Sequence, residues 1–190
     1  MRKMAVVLPA MVLLSCLGCG AGLVVDVNSV LENYNKTFTK IEPVMSVKAI
    51  YYSSESSYSN MRKRMVWGGG IPSYVSGALF VMDDKMIVAT QHQDGTVSVA
   101  FVIPNKDVID VLVDKYSNVC GLVISTSDKT YVVEIAKGVV VDKAKTYEIY
   151  NFLLTKTQNK NNRGPLDWQK EKQEEEVIQK EQEERLKRKY

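Results

Sequence analysis

The chain of 190 residues contains only one histidine and three cysteines. A catalytic Ser-His-Asp or Cys-His arrangement needs a histidine that the fold holds in place. His92 stands in a polar run beside a predicted turn, so we expect it in solvent. The shortage also argues against histidine-rich metal sites and against zinc bound by paired cysteines. We therefore predict no catalytic residue, no metal ligand and no cofactor.

The three cysteines are also too few for a disulfide framework. Cys16 and Cys19 lie beside the amino-terminal apolar run. Cys120 opens a predicted strand and has no obvious mate in the folded part. We expect Cys120 to be a small buried hydrophobic side chain rather than a reactive thiol.

Acidic residues are plentiful, but no feature of the sequence selects two of them as a hydrolytic pair. Asp107, Asp110 and Asp114 recur through one predicted strand, where alternation separates Asp107 from the other two. We interpret all three as solvated residues at a sheet edge.

Neither sign of charge dominates, because 25 lysines and arginines face 22 acidic residues and the net charge is +3. This balance gives no electrostatic reason to expect a nucleic-acid partner. The apolar content of 45% is sufficient for a core, and the length suits one domain with appendages.

No apolar run reaches the roughly 20 residues that a membrane-spanning helix needs. Instead, Arg2 and Lys3 precede a shorter uncharged apolar run at residues 4–14, and small residues with cysteines follow. This order is typical of a secretion signal. We predict a signal peptide at residues 1–15.

The end of this run, Leu13-Leu14-Ser15-Cys16, resembles the lipobox of bacterial lipoproteins, in which the cysteine is lipidated and becomes the new amino terminus. Leu17-Gly18-Cys19 is the alternative, but it has a cysteine where the family pattern has an aliphatic residue. The resemblance implies lipid attachment, palmitate included, at Cys16 (alternatively Cys19), and a lipidated tether at residues 16–25. An ordinary signal peptide with incidental cysteines is the competing interpretation.

A lipobox also implies a location. Several acyl chains anchor a protein firmly, since each buried methylene contributes about 0.8 kcal/mol. We expect the protein in a bacterial cell envelope, held at the membrane by lipid. Leu17 or Gly20, rather than aspartate, follows the candidate cysteine. In a Gram-negative cell this would favour the outer membrane.

The mature chain begins with helical periodicity and continues with strand patterns. We predict an amphipathic helix at residues 26–40, with Asp26 or Asn28 as its cap. A Ser-rich loop is predicted at 53–60.

Two turns, at Asp83-Asp84 and Asp94-Gly95, separate strand patterns with alternating apolar residues. The run 108–113 fits a helix or a strand, and its valines and isoleucine favour a strand. The predicted strands are 44–52, 61–67, 78–82, 86–90, 97–103, 108–113, 122–126 and 131–135.

Asp142 is predicted to cap a closing helix whose apolar stripe contains Tyr147, Tyr150, Leu153 and Leu154. The fold class is therefore α+β and mainly β, with a strongly bent antiparallel sheet or barrel that the helix closes.

The order of these elements resembles the pleckstrin-homology-like superfold, and in particular its GRAM-type and bacterial branches. The resemblance lies in the segments GALFVMDDKMIVAT, FVIPNKDVIDVLV, GLVISTSDKTYVVEI and DKAKTYEIYNFL, and it covers roughly residues 44–155. We place this domain at residues 41–157. The closing helix departs from many such domains because it has no tryptophan; Tyr147 and Phe152 are the aromatic residues near that place.

The same resemblance implies a possible ligand site. Pleckstrin-homology domains that bind phosphoinositides use basic residues near their first two strands, and Arg62, Lys63, Arg64 and Lys48 fall there. Consecutive strand residues alternate faces, so the triplet cannot direct all its charges at one head group. Anionic lipid or an envelope polymer is the ligand class that this patch suggests. A solvated strand edge is the simpler interpretation.

Residues 158–190 form a mixed-charge tail beyond Gly164-Pro165. Its composition and i,i+4 pairs favour a helix. The apolar residues do not sustain a heptad, so we predict a solvated helix rather than a coiled coil.

We expect a non-enzymatic binding or scaffolding module whose main partner is another envelope protein. The alternative is a binder of anionic lipid or polymer through the basic patch, and an enzyme of unknown class is the third alternative.

Overall fold

The structure is a computed structural model that describes residues 25–54, 74–92, 94–114, 120–138 and 140–188. Cys16, Cys19 and the predicted strand 61–67 with its basic triplet lie outside these residues. Three helices are described: α1 (Val27–Thr37), α2 (Lys143–Lys156) and α3 (Trp168–Lys187). A 3-10 turn spans Asn105–Asp107. The strands are β1 (Met45–Ser54), β2 (Tyr74–Val81), β3 (Lys85–Gln91), β4 (Val97–Pro104), β5 (Val108–Asp114), β6 (Gly121–Thr126), β7 (Thr130–Lys137) and β8 (Val140–Val141).

The strands form one antiparallel sheet in the order β4-β3-β2-β1-β7-β6-β5, and β8 pairs with the end of β7. The predicted class, mainly β with a helix after the last strands, is confirmed. The run 108–113 is a strand, and the turns at Asp83-Asp84 and Asp94-Gly95 lie between strands as predicted. Gly95 has a φ of 82°, which glycine adopts without steric cost.

The sheet is strongly bent but not closed. Seven strands spaced about 4.8 Å apart would make a flat sheet nearly 30 Å wide. The outermost strands β4 and β5 are nevertheless joined by only Asn105–Asp107, which can span roughly 14 Å. The sheet must therefore curl. Among the described residues β4 pairs only with β3, and β5 only with β6, so the described strands form the bent sheet and do not close into a barrel.

The main core lies inside the curl. Its members come from seven strands and from α2: Val47, Ala49, Leu79, Val81, Met86, Val88, Ile103, Val108, Val111, Leu122, Ile124, Val133, Ile135, Ile149, Tyr150 and Leu153. Fully burying one such aliphatic side chain contributes about 1.5–3 kcal/mol.

Helix α2 closes this core. The Asp142 side chain accepts a hydrogen bond from the Lys145 amide at 3.0 Å, as predicted for its cap. Tyr147, Tyr150 and Leu153 are buried, and Leu154 is half-buried. The predicted stripe missed Ile149, which is fully buried because α2 contacts β5, β6 and β7.

Helix α1 packs on the outer side of the sheet. Asp26 is its cap, accepting from the Asn28 amide at 3.0 Å. Val30 and Tyr34 are buried against a second cluster that includes Phe80 and Ile87. Phe38 continues the helical spacing of Val30 and Tyr34, which predicts it on the packed face, but it follows the last helical residue and is 41% exposed.

A β-bulge corrects the predicted face of β4. Val88 pairs with Phe101, but Ala89 pairs with Val99, so Ala100 is the extra residue. An inserted residue reverses the side to which later side chains point. Val97 and Val99 consequently pack on the outer cluster, and Ile103 packs in the main core. The alternation of Val97, Val99, Phe101 and Ile103 in the sequence predicts a single apolar face for this strand, and that prediction is wrong.

Candidate functional site

The two outer strands, β5 and β4, are the candidate interaction surfaces of this domain. After α2 the chain turns back along β5 as an irregular segment at residues 157–166, which we call the strap. The backbone amides of Gln158 and Lys160 donate to the carbonyl oxygens of Val108 and Ile109, at 3.3 and 3.0 Å. The strap thus occupies the first part of the β5 edge.

An ion pair holds the strap beside that edge. The guanidinium of Arg163 donates from Nε and from one terminal nitrogen to the two carboxylate oxygens of Asp110, at 3.0 and 3.2 Å. The hydrogen bond to Asp110 raises the pKa of Arg163, and such two-pronged pairs are among the stronger polar contacts.

The expected solvation of the three aspartates is therefore wrong for Asp110, which is 9% exposed. Its partner lies 53 residues later in the chain. Asp107 also departs from the prediction because it belongs to the 3-10 turn and not to the strand.

The far end of the strap is tied to α2. The Tyr150 hydroxyl donates to the Gly164 carbonyl at 3.1 Å. The Asn151 side chain donates to the Leu166 carbonyl at 2.8 Å and accepts from its amide at 2.9 Å. Burial raises the pKa of the Tyr150 hydroxyl, so it remains a donor near neutral pH.

The first turn of α3 docks on the same helix. The Tyr147 hydroxyl donates to a carboxylate oxygen of Glu171. The Trp168 ring lies 5.6 Å from the Tyr147 ring, and the Lys143 ammonium lies 5.3 Å from the Trp168 ring centre. Burial and then the bond to Glu171 raise the pKa of Tyr147 far above its ordinary value.

Beyond Glu171, α3 leaves the domain. No residue of this helix is buried, and Val177, Ile178 and Leu186 are each more than half exposed. Of the predicted i,i+4 pairs, Glu184 and Arg188 lie 3.5 Å apart. The predicted solvated helix describes this part, whereas the docked start of the tail was not anticipated.

The other outer strand, β4, has no such cover in the described part of the chain. Hydrogen-bonded and non-hydrogen-bonded pairs alternate along an antiparallel ladder. The His92 amide bonds to Thr96 at one end and the Asn105 amide to Asp84 at the other. The alternation of bonded and non-bonded pairs can be followed inward from each end of β4 as far as the bulge. It places the backbone N–H and C=O groups of Val97, Val99 and Val102 at the open edge.

Two residues of β4 agree with an open edge. Pro104 has no amide proton. The same alternation places its nitrogen at the open edge, so no hydrogen bond to β3 is lost. Val102 is 46% exposed, although valine is typical of paired strands. The β4 edge therefore combines outward backbone groups with an exposed apolar side chain.

An aromatic group lines the inside of the curl between β1, β4 and β7. The Phe101 ring lies 4.9 Å from the Tyr51 ring and 4.8 Å from the Tyr131 ring. All three are half-buried. Their contacts cross from one half of the bent sheet to the other, so they fix the distance between β4 and β7.

The remaining predicted site residues are placed as follows. The Lys48 ammonium donates to the Gly138 carbonyl at 3.1 Å. Arg62, Lys63 and Arg64 lie outside the described residues, so the basic patch stays a prediction, as does lipidation at Cys16 or Cys19. His92 is exposed, with Nε2 2.9 Å from the Ser98 hydroxyl, as expected. Cys120 is buried, as expected.

The described residues contain no group of three or more His, Cys, Asp or Glu side chains arranged to hold a metal ion. None of their helices combines the length and the apolar character that crossing a membrane demands.

Neither a protein-family model nor a curated protein sequence matches this chain. Solved structures do match. Two of them are a mutant form of the DH/PH domains of p115-RhoGEF and an N-terminally truncated linker-DH/PH form of p115-RhoGEF. Their identities are 8% and 10%, their TM-scores 0.41 and 0.42, and each match covers 74% of this chain. The chain spans about two fifths of the length of either structure (39% and 38%). At these scores the matches assign neither a family nor a ligand.

Proposed function

We propose that this protein is a lipid-anchored bacterial envelope protein whose pleckstrin-homology-like domain binds another envelope protein through the open β4 edge, without an enzymatic role. The observation that carries the docking part is the β4 edge itself, with outward backbone groups and the exposed Val102. An extended segment can add to such an edge through main-chain hydrogen bonds, while side-chain contacts provide selectivity.

The contact between the strap and β5 supports this mode of binding. The strap already places an irregular segment against β5, with two backbone amides donating to strand carbonyls. A partner segment on β4 would satisfy the corresponding groups of the opposite outer strand. Proteins usually blunt an exposed edge with charges, bulges or covering loops. β4 has one such feature, the bulge at Ala100, but beyond the bulge Val102 presents an exposed apolar side chain.

The edge is tested by proline substitution at Val102. Val102→Pro removes an outward amide and leaves the bonds to β3 in place, whereas Val102→Thr keeps the amide and a branched side chain of similar size. The full chain and both variants would be recovered from cross-linked membranes of the cells that make it. A protein recovered with the parent and with Val102→Thr, but lost with Val102→Pro, would support the proposal.

Equal recovery with all three forms would exclude the β4 edge, and recovery of no partner by the parent would exclude the binding function. Circular dichroism of each variant checks that the sheet is intact.

The anchor rests on the sequence Leu13-Leu14-Ser15-Cys16 and has a separate test. Cys16→Ser should abolish incorporation of labelled palmitate, whereas Cys19→Ser should leave it unchanged. The reverse result would assign the lipid to Cys19. Labelling of the chain with both cysteines changed would exclude the lipoprotein proposal.

A further inference from the structure

The middle of the strap is attached to the domain by polar contacts. Residues 158–165 carry no large apolar side chain, and all of them except Asn159 are exposed. Two backbone bonds and the Asp110–Arg163 pair hold them to β5. The Gln158 side chain also donates to the Lys106 carbonyl of the 3-10 turn at 2.7 Å, and the Gly164 carbonyl accepts from the Tyr150 hydroxyl of α2. Regions with few apolar contacts open at lower free energy than the core does.

The strap also has its own internal order. Asn159 and Asn162 have φ values of 40° and 50°, a region that asparagine tolerates better than most residues. The Asn159 side chain donates to the Arg163 carbonyl at 2.9 Å and accepts from its amide at 3.1 Å. The loop is therefore closed on itself, and it lies on β5 as a unit rather than as an eighth ladder strand.

Both ends of the strap are fixed in a way that allows the middle to leave. Helix α2 ends with the Thr157 amide bonded to the Leu153 carbonyl. Leu166 is held by Asn151 and packs on the core. Between these points the chain can move away from β5 without unpacking α2.

We propose that the strap is an exchangeable occupant of the β5 edge. It opens while the core stays folded, and the vacated edge accepts an extended, arginine-bearing segment of another protein. The contacts of the strap indicate which groups the partner segment must supply. It needs two backbone N–H donors for the carbonyls of Val108 and Ile109, and a guanidinium for Asp110. The domain would then have a second binding edge, which is available only when the strap has opened. The tests of this proposal do not depend on what β4 binds.

The first test is hydrogen–deuterium exchange of the full chain and of Arg163→Gln. The Gln158 and Lys160 amides should exchange at least about tenfold faster in the variant, because a hydrogen bond to a charged group is lost. Amides of the β6–β7 hairpin should keep their rates. Arg163→Lys keeps the positive charge but cannot form the two parallel hydrogen bonds to Asp110. The Gln158 and Lys160 amides should exchange at an intermediate rate in this variant.

Lys156→Gln is the matched control. It removes a neighbouring ion pair, Lys156 to Asp83 at 2.8 Å, that does not involve the strap. Exchange at Gln158 and Lys160 should be unchanged in this variant. The proposal is overturned if Arg163→Gln leaves these two amides unchanged, or if it accelerates the hairpin amides equally, since the strap would then open only with the whole fold.

The second test uses a synthetic peptide of residues 157–166 as the probe. In the full chain carrying Gln158→Pro and Lys160→Pro, the strap loses both backbone hydrogen bonds to β5 and keeps only the Arg163 pair with Asp110. Added peptide, at up to about 1 mM, should shift the NMR signals of Val108, Ile109 and Asp110. The parent, whose edge is occupied, should not respond. A peptide with glutamine in place of its arginine should bind at least about tenfold more weakly.

Absence of shifts in the proline variant would overturn the exchange of occupants. Equal shifts in the parent would do the same, because the strap would then not compete with the peptide for the β5 edge.

Discussion

β4 and β5 are the outer strands of one sheet, and they differ in whether another segment of the described chain covers their open edge. β5 carries a segment that bonds to two of its carbonyls and neutralises Asp110. β4 carries nothing comparable in the described residues, although its exposed Val102 is the more apolar surface. The difference follows from connectivity, because α2 delivers the chain to the 3-10 turn and to the beginning of β5.

The comparison shows that covering an edge need not involve burial. The strap protects β5 with polar groups that exchange with water at little net cost, since a typical hydrogen bond contributes only about 1 kcal/mol to stability. A cover of this kind can be removed. An edge protected by a packed helix could not be exposed without losing core contacts.

The largest expected effect tests the helix that brings the strap to β5. Leu153 on α2 is fully buried in the main core. Leu153→Ala should lower the free energy of unfolding by about 2–5 kcal/mol, measured by urea denaturation. It should also expose the strap amides to exchange, since α2 anchors both ends of the strap. If stability falls while strap exchange is unchanged, the β5 edge is held independently of α2.

A smaller effect is expected in the half of the sheet that carries β4. A Cβ atom on Gly77 would collide with the Ala89 carbonyl oxygen on the neighbouring strand, so Gly77→Ala must displace β3. We expect a loss of about 1–3 kcal/mol of unfolding free energy.

Gly121→Ala is the matched control in the half that carries β5. There the added atom would lie 3.4 Å from the nearest Val132 methyl, an ordinary contact. Its effect should be clearly smaller in the same denaturation experiment. Equal losses would mean that the close approach of β2 and β3 is not a constraint on the β4 half.

A pH-dependent effect tests the docking of α3. Burial and the bond to Glu171 raise the pKa of Tyr147, so the folded chain favours the protonated phenol. The stability it contributes is fully present below about pH 10, the ordinary tyrosine pKa. It is lost as pH rises further, because only the unfolded chain ionises readily.

Tyr147→Phe should cost about 1 kcal/mol between pH 7 and 9. The gap between parent and variant should then shrink above pH 10 in urea denaturation at stepped pH. A gap that stays constant to pH 11 would contradict the bond to Glu171 as a source of stability.

The smallest effect is expected where the tail leaves the domain. Ile178→Ser on α3 should change the free energy of unfolding by no more than about 0.5 kcal/mol, since the side chain is more than half exposed. Thermal unfolding followed by circular dichroism measures this. A loss above about 1 kcal/mol would indicate that α3 packs against a surface, as a second copy would provide.

Much of the fold could be predicted from local patterns. Alternation along Val47 and Ala49, the turn at Asp94-Gly95 and the cap at Asp142 all depend on residues a few positions apart. The bulge at Ala100 could not be predicted in this way, because a single inserted residue changes the faces of β4 without altering its composition.

The candidate site was harder to foresee. The predicted ligand residues were chosen for charge, yet Lys48 bonds to the backbone of a nearby turn. The Asn-rich run before Gly164 was a signal for a tight return of the chain, since asparagine adopts left-handed turn conformations. No local pattern indicated that Arg163 would reach Asp110.

The sequence by itself determined most of the described strands, two of the turns between them and the cap of α2, since these depend on side-chain periodicity and on hydrogen bonds within a few residues. Tertiary structure alone decided which sheet edge is covered. That choice depends on where α2 ends relative to β5 and on a charge pair between residues 53 positions apart, which no local pattern specifies.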